Sequence, residues 1–175
     1  MQQQVQLQPA DQFFQIIRNP LKLRLFLLRK LPAAAFSGLR IVNVDEGACT
    51  VSVPYRWSTT NPFRSTYFAC LSMAAELSTG VLSMAQVWGR KPPVSMLVTG
   101  MEARFFKKAT GTTFFTCSDG AAIKGAIEKA VQAGTAQTIS VCSEGKNIQG
   151  EPVATFVFEW SFKAKGAAIV NSNNA

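Results

Sequence analysis

A single carboxylate interrupts one of the most apolar stretches of this chain. From Tyr67 to Ala85 the sequence reads YFACLSMAAELSTGVLSMA, and Glu76 is its only charged residue. Two uses of such an acid are open. It can be a structural carboxylate hydrogen-bonded to Ser72, Thr79 or a facing strand, or a group whose pKa burial raises so that it serves as a base. The 175 residues contain no histidine, which excludes Ser-His-Asp and Cys-His catalysis, histidine-ligated zinc and any histidine base. No metal site is expected. Chemistry falls to carboxylates, hydroxyls, thiols, amines and backbone dipoles. The four cysteines, Cys49, Cys70, Cys117 and Cys142, lie far apart with no CxxC pair, so free thiols in a reducing compartment are expected. With no signal peptide in view, the expected location is cytoplasmic. Cys70 has no base beside it and is not read as a nucleophile.

The element that must hold Glu76 is a helix. At about 1.5 Å per residue the stretch spans roughly 28 Å, enough to cross a bilayer or to form the centre of a domain. An ionised carboxylate at mid-bilayer costs about 2.5 to 3.5 kcal/mol, and no second span follows to pair with it. A core helix over residues 65–88 is therefore expected, with Ser65 or Thr66 as its cap. One and two turns from Glu76 stand Ala69, Ser72, Met73, Thr79, Gly80 and Ser83, mostly small or hydroxylated, beside an apolar stripe of Cys70, Leu77, Val81 and Met84. The acid thus sits on a face open to close approach. A helix with so little charged surface must be wrapped on nearly all sides, and a curved sheet is the expected wrapper.

Length and composition fit one domain, with 47% apolar and 16% charged residues and no composition break. Eighteen basic residues against ten acidic give a net charge of +8, which favours an anionic partner. The charges are dispersed and lack a stacking motif, so nucleic acid is not expected. Residues 1–10 read as a flexible lead, 11–163 as the domain, and 164–175 as a disordered tail.

Taken in order, 11–30 is a helical lead segment broken at Asn19-Pro20. Phe13, Phe14, Ile16 and Ile17 anchor its first part. In its second part Leu21, Leu25 and Leu28 share a face, with Lys22, Arg24, Arg29 and Lys30 supplying charge. That face is expected to pack on the domain, and membrane contact is not the expected role. Two strands follow around the turn Asp45-Glu46-Gly47. In the second, Cys49, Val51, Val53, Tyr55 and Trp57 form the buried face. After the central helix, a long strand over Val94 to Lys107 is expected to turn Leu97, Thr99, Met101, Ala103 and Phe105 inward, with Gly100 marking a bulge or close approach. A strand over Thr112 to Ser118 precedes a short helix over Ala121 to Ala133 closed by Gly134. The last strands are Gln137 to Cys142 and Pro152 to Phe162. In the latter, Ala154, Phe156, Phe158, Trp160 and Phe162 face inward. The fold class is therefore α+β, six antiparallel strands curled around one helix, and pairing of two copies would cover an open sheet edge.

This order resembles the hotdog fold of the acyl-CoA thioesterases. Many members carry an asparagine, then six residues later a His-Gly-Gly opening the central helix, then an Asp or Glu nine residues after the histidine. Here Asn61 is followed by Tyr67, Phe68 and Ala69, and Glu76 stands nine after Tyr67. The lead NPLKLRLFLLRKLP, the NPFR loop and AAELSTG are similar to an uncharacterised branch close to the phenylacetate-type thioesterases, over roughly Phe14 to Lys163. The resemblance implies hydrolysis of an acyl-CoA or acyl-carrier thioester by a homodimer, or a tetramer built from it, with coenzyme A present only as part of the substrate and no cofactor. It implies that the thioester carbonyl meets the amides of Phe68 and Ala69. Glu76 would act as base or nucleophile, with Asn61 positioning water or carbonyl. Tyr67, Phe68, Ala69 and Ser72 would contact the substrate. Thr99 and Gly100 would approach from the opposite protomer, and Arg64, Arg90, Lys91, Lys107 or Lys108 would meet the coenzyme A phosphates. Tyr67 and Phe68 in place of His-Gly crowd the carbonyl site, which implies either no turnover or an altered acyl group. Two further functions stand beside hydrolysis: non-catalytic binding of an acyl ligand, and peripheral membrane attachment through the basic lead helix.

Overall fold

The computed structural model describes residues 9–166; the expected flexible N-terminus, apart from its last two residues, and most of the expected C-terminal tail lie outside them. Three N-terminal helices, α1 (Pro9–Arg18), α2 (Pro20–Lys30) and α3 (Pro32–Phe36), lead into strands β1 (Arg40–Val44) and β2 (Cys49–Val53). The long helix α4 (Phe68–Val87) follows, then β3 (Val94–Phe105), β4 (Thr113–Cys117), α5 (Gly120–Ala133), β5 (Gln137–Asn147) and β6 (Pro152–Ala164). One antiparallel sheet orders the strands β1-β2-β4-β5-β6-β3. α4 packs across its inner face, chiefly on β2, β4 and β5, with α1 and α5 beside it. Although long and apolar enough to cross a membrane, α4 is mostly enclosed by its own domain.

Local chemistry explains the elements. Asn19 Oδ1 accepts from the amides of Leu21 and Lys22, both at 3.1 Å, and Pro20 opens α2. Asp45 Oδ1 accepts from Gly47 and Ala48 at 2.8 Å and closes the β1–β2 turn. Gly134 ends α5 in the left-handed conformation, φ 66°. The core strand is β6, where Phe156, Phe158, Trp160 and Phe162 are all buried on one face; Phe156 meets Phe115 edge-on at 5.6 Å.

Five sequence expectations are corrected. Leu21, Leu25 and Leu28 face solvent, and α2 packs instead through Leu23 and Leu27. β2 stops at Val53, and Trp57 opens a short 3₁₀ turn, Trp57–Thr59, with its ring exposed. Val153, read as outward, is buried, and its carbonyl accepts from Phe106 and Lys107. β5 runs to Asn147 rather than Cys142, because Glu144 to Asn147 pair with β4. On β3, Leu97 and Thr99 point outward. A bulge sets Thr99 and Gly100 against Glu159, so Met96 and Val98 share the inner face with Met101, Ala103 and Phe105.

Phe156 touches three aromatic neighbours and is fully buried. Phe156→Ala is expected to cost about 3 to 5 kcal/mol, the range for large aromatic deletions in a packed core. Urea unfolding followed by circular dichroism checks it; a loss below about 1 kcal/mol would mean the cluster is not the packing centre described.

Candidate active site

α4 starts without a side-chain cap. Ser65 and Thr66 are engaged elsewhere: Ser65 Oγ donates to Asn61 Oδ1 at 3.3 Å, and Thr66 Oγ1 donates to the Ala109 carbonyl at 3.2 Å. Tyr67 takes the N-cap position in extended backbone and supplies no side-chain bond. Its carbonyl accepts from the amides of Cys70 at 2.9 Å and Leu71 at 3.3 Å, so those of Phe68 and Ala69 have no acceptor among the described residues. Two free amides and the positive end of the helix dipole coincide here, an arrangement suited to a developing oxyanion.

A 610 Å³ pocket opens beside this helix start. Tyr67, Phe68 and Leu71 line it from α4, and Phe105 to Ala109 line it from the end of β3. The Tyr67 and Phe68 rings meet edge-on at 5.0 Å. The third wall is the loop from Asn61 to Thr66, which Asn61 holds together. Its Oδ1 accepts from Phe63 N at 3.0 Å and Ser65 N at 3.3 Å, its amide donates to the Ser65 carbonyl at 3.0 Å, and its carbonyl accepts from Arg64 N at 3.1 Å. Arg64 turns the chain at φ 57°, a conformation side chains rarely adopt. Asn61 therefore lines the pocket with its oxygen committed to the loop; only its Nδ2 is unbound among the described residues. A larger depression of 710 Å³ lies between β4 and β5, lined by Phe114, Thr116, Asp119 and Cys142, and holds none of the expected site residues.

Glu76 lies two turns further along α4 than Phe68, with Ser72 between them, so the three share one face, about 12 Å long. That face looks at β3: Ser72 Oγ donates to Met101 Sδ at 3.3 Å. The Glu76 carboxylate has no hydrogen bond or ion pair among the described residues. Both groups expected to satisfy it are used otherwise. Ser72 turns to Met101, while Thr79 Oγ1 donates to the Glu76 backbone carbonyl at 2.9 Å and accepts from Trp160 Nε1 at 3.0 Å. Desolvation pushes its carboxyl above the usual carboxylate range. The side chain folds toward Gly80: a methyl group placed there would stand 3.1 Å from Glu76 Oε1 and 3.7 Å from the Trp160 ring. Only glycine leaves that notch open.

Tyr67, Phe68, Asn61, Lys107 and Lys108 thus gather at the pocket, and Ala69, Ser72 and Glu76 continue from it along α4. Lys107 pairs with Glu151 at 2.6 Å, whereas Lys108 has no ion pair among the described residues. Arg64 is exposed on the loop but does not line the pocket. Arg90 and Lys91 follow the far end of α4, about 30 Å from its start, and do not join the site within one chain. Thr99 Oγ1 donates to Glu159 Oε1 at 2.5 Å on the outer face, so neither it nor Gly100 faces Glu76 of its own chain. Sequence reasoning missed the aromatic lining, Phe63, Phe105 and Phe106, and the notch formed by Gly80 and Trp160. Gly80, four residues after Glu76 on a helix, was the one signal for the notch.

A sheet curled around a single long helix is a hotdog fold. The chain belongs to the family described as a domain of unknown function, DUF4442, whose model matches residues 22–161. Among solved structures it resembles PA5026 of Pseudomonas aeruginosa, a protein of unknown function, with 24% identity and a TM-score of 0.70 over 83% of this chain and 97% of that one. It also resembles the PaaI protein from the phenylacetic acid degradation operon of Escherichia coli, with 15% identity and a TM-score of 0.60 over 87% and 94%. A third is thioesterase HI1161 of Haemophilus influenzae, with 13% identity and a TM-score of 0.58 over 80% and 88%. At these identities the likeness shows the fold. No curated protein matches the chain.

A carboxyl whose folded pKa is raised holds a proton that the unfolded chain gives up. Its burden is absent below the ordinary carboxylate pKa, grows as pH rises above that value, and is complete above the raised one. Glu76→Gln is therefore expected to raise the melting temperature at pH 8 by on the order of 2 to 4 °C, the shift of about 1 kcal/mol in a chain of this size, with little change at pH 4. Equal shifts at both pH values, or destabilisation at pH 8, would contradict an unpaired acid held above its ordinary pKa. Gly80→Ala fills the notch and turns the carboxylate toward the more open groove. Its titration, followed by carbon NMR of labelled glutamate, is expected to move to lower pH while the fold is kept.

Proposed function

We propose that this protein hydrolyses an acyl thioester, with Glu76 as general base or nucleophile. The observation that carries the reading is an unpartnered, half-buried carboxylate on the same helix face as a pair of free amides, beside an aromatic pocket. An acyl chain would lie among Phe68, Leu71, Phe105 and Phe106, with its carbonyl oxygen toward the amides of Phe68 and Ala69. Glu76 turns out of its notch toward the helix start, the direction in which helical side chains lean. It takes a proton from water; the water oxygen bonds to the carbonyl carbon, and the negative charge collects on the carbonyl oxygen. Collapse of that adduct breaks the carbon–sulfur bond, and the leaving thiolate takes the proton from Glu76. In the alternative route the Glu76 carboxylate attacks the carbonyl carbon, the carbon–sulfur bond breaks as the thiolate leaves and picks up a proton from solvent, and water opens the resulting anhydride to regenerate Glu76 and the free acid.

Lys108 at the pocket mouth suits an anionic carrier, the phosphates of coenzyme A among them. The Asn61 Nδ2 is free to orient the water or the carbonyl. The Tyr67 and Phe68 rings narrow the entrance and select the acyl group. β3 is an unpaired edge of 12 residues, and pairing of two copies there makes a homodimer in which Thr99 and Gly100 lie at the contact. Four unpaired thiols suit a reducing, cytoplasmic setting.

Release of free coenzyme A from a panel of acyl-CoA substrates, measured with a thiol reagent, tests the reading. Turnover is expected in the wild type, rising with pH through the raised pKa of Glu76. In Glu76→Gln with unchanged circular dichroism it should fall by at least about 100-fold. Saturable acyl-CoA binding with no thiol release would instead make this a ligand-binding protein that uses the same pocket. Turnover that survives in Glu76→Gln would remove the acid from the reaction.

A further inference from the structure

The leucines of α2 are on the wrong side for a helix that only packs on its own domain. Leu21, Leu25 and Leu28 are 80%, 58% and 56% exposed, while Leu23 and Leu27 fill the buried side. With about 100° between successive residues, the three exposed leucines fall within roughly 60° of one another. Lys22 and Arg29 flank that stripe on one side and Arg24 on the other. No acidic residue occurs from Pro20 to Lys30, and none of these cations has an ion pair among the described residues. Leu31 and Phe36 extend the exposed apolar surface past the helix end.

The geometry points to an anionic lipid surface as the partner of α2, with Leu21, Leu25 and Leu28 entering between headgroups and Lys22, Arg24 and Arg29 meeting lipid phosphates. Charge decides among the occupants. A second copy docked by a two-fold contact would set these unpaired cations against their own equivalents, and like charges across an interface oppose association. Shape agrees. The leucines project as a ridge, which a fluid headgroup layer can admit, whereas a rigid partner would need a matching groove. Basic side chains at both shoulders of an apolar stripe are what an interfacial helix requires, because phosphates then lie on either side of the inserted residues.

The test is co-sedimentation of the full chain with vesicles of phosphatidylcholine alone and of phosphatidylcholine with about a third phosphatidylglycerol. Binding is expected only to the anionic vesicles and should weaken as salt rises. The triple variant Leu21→Gln, Leu25→Gln, Leu28→Gln and the triple variant Lys22→Gln, Arg24→Gln, Arg29→Gln should each lose at least about tenfold in binding. Glutamine is a good helix former, so both are expected to fold, as circular dichroism checks. No sedimentation of the wild type with anionic vesicles overturns the proposal, as does binding that survives in the leucine variant. A drop in assembly size of the leucine variant by light scattering would assign the ridge to a contact between copies and overturns it equally.

Discussion

Every polar side chain on a helix that a sheet encloses must find its partner within reach of its own backbone or on one facing strand. α4 meets this demand almost entirely with hydroxyls. Ser78 Oγ donates to the Ala75 carbonyl at 2.7 Å and lies 2.8 Å from Ser143 Oγ on β5. Ser83 Oγ donates to the Thr79 carbonyl at 3.0 Å. Thr79 bonds one turn back to the Glu76 carbonyl and receives the Trp160 indole. Short hydroxylated side chains can do this because they reach their own helix, and they let strands approach closely. Glu76 is the residue for which neither device is supplied. Its backbone carbonyl is held by Thr79 while its half-buried carboxylate has no protein partner among the described residues, so it keeps its contact with solvent where the neighbouring hydroxyls are bonded.

The turn that carries Glu76 is fixed by β6. Trp160 reaches α4 through its indole nitrogen and closes the notch over Gly80 with its ring. The same strand carries Phe156 and Phe158 toward the pocket end, where Phe156 meets Phe105 edge-on at 5.6 Å. One strand therefore sets the resting place of the acid and backs Phe105, which lines the cavity. The bulge at Thr99 and Gly100 matters to this arrangement. Without the extra residue, Met101 and Phe105 would turn to the outer face, and Ser72 and Phe68 would face the opposite side chains of β3.

The legible parts of the sequence were those in which one physical signal acts alone. A long apolar run with a single charge specified α4, and strict alternation of aromatic residues specified the inner face of β6. Asn19-Pro20 and Gly134 marked a helix start and a helix end by local backbone chemistry. Much of the candidate site was visible too, because the Asn61, Tyr67 and Glu76 spacing sits within one stretch. What failed depended on contacts between distant segments. Leu21, Leu25 and Leu28 form as good an apolar face as Leu23 and Leu27, and only the positions of α1 and α3 decide which is covered. The parity of β3 could not be carried through Gly100 from alternation, since one inserted residue reverses every assignment on one side of it. Thr66 has the chemistry of a helix cap, but the Ala109 carbonyl competes for its hydroxyl. The aromatic lining of the pocket comes from two separated stretches, 63–68 and 105–106, and leaves no pattern in either.

Among the described residues, β3 and α2 both carry exposed apolar side chains, and charge separates their uses. On β3, Leu97 is exposed on the outer face and Met101 on the inner one, and the nearby charges are of both signs: Arg104 bonds Glu102 at 3.1 Å, while Glu159 and Lys163 lie on the paired strand. An edge with unpaired backbone groups and balanced charge can meet its own copy without repulsion, and a sheet continued across two chains is the ordinary way such an edge is covered. On α2 the apolar stripe lies among cations that nothing balances. Four basic residues, Lys22, Arg24, Arg29 and Lys30, fall on α2 with no acidic residue among them, whereas β3 carries both signs. A protein whose proposed substrates pair an acyl chain with a phosphorylated carrier would have reason to combine the two surfaces. Under that proposal the first would complete a pocket at the start of α4, and the second would bring that pocket to the interface where amphiphilic thioesters collect.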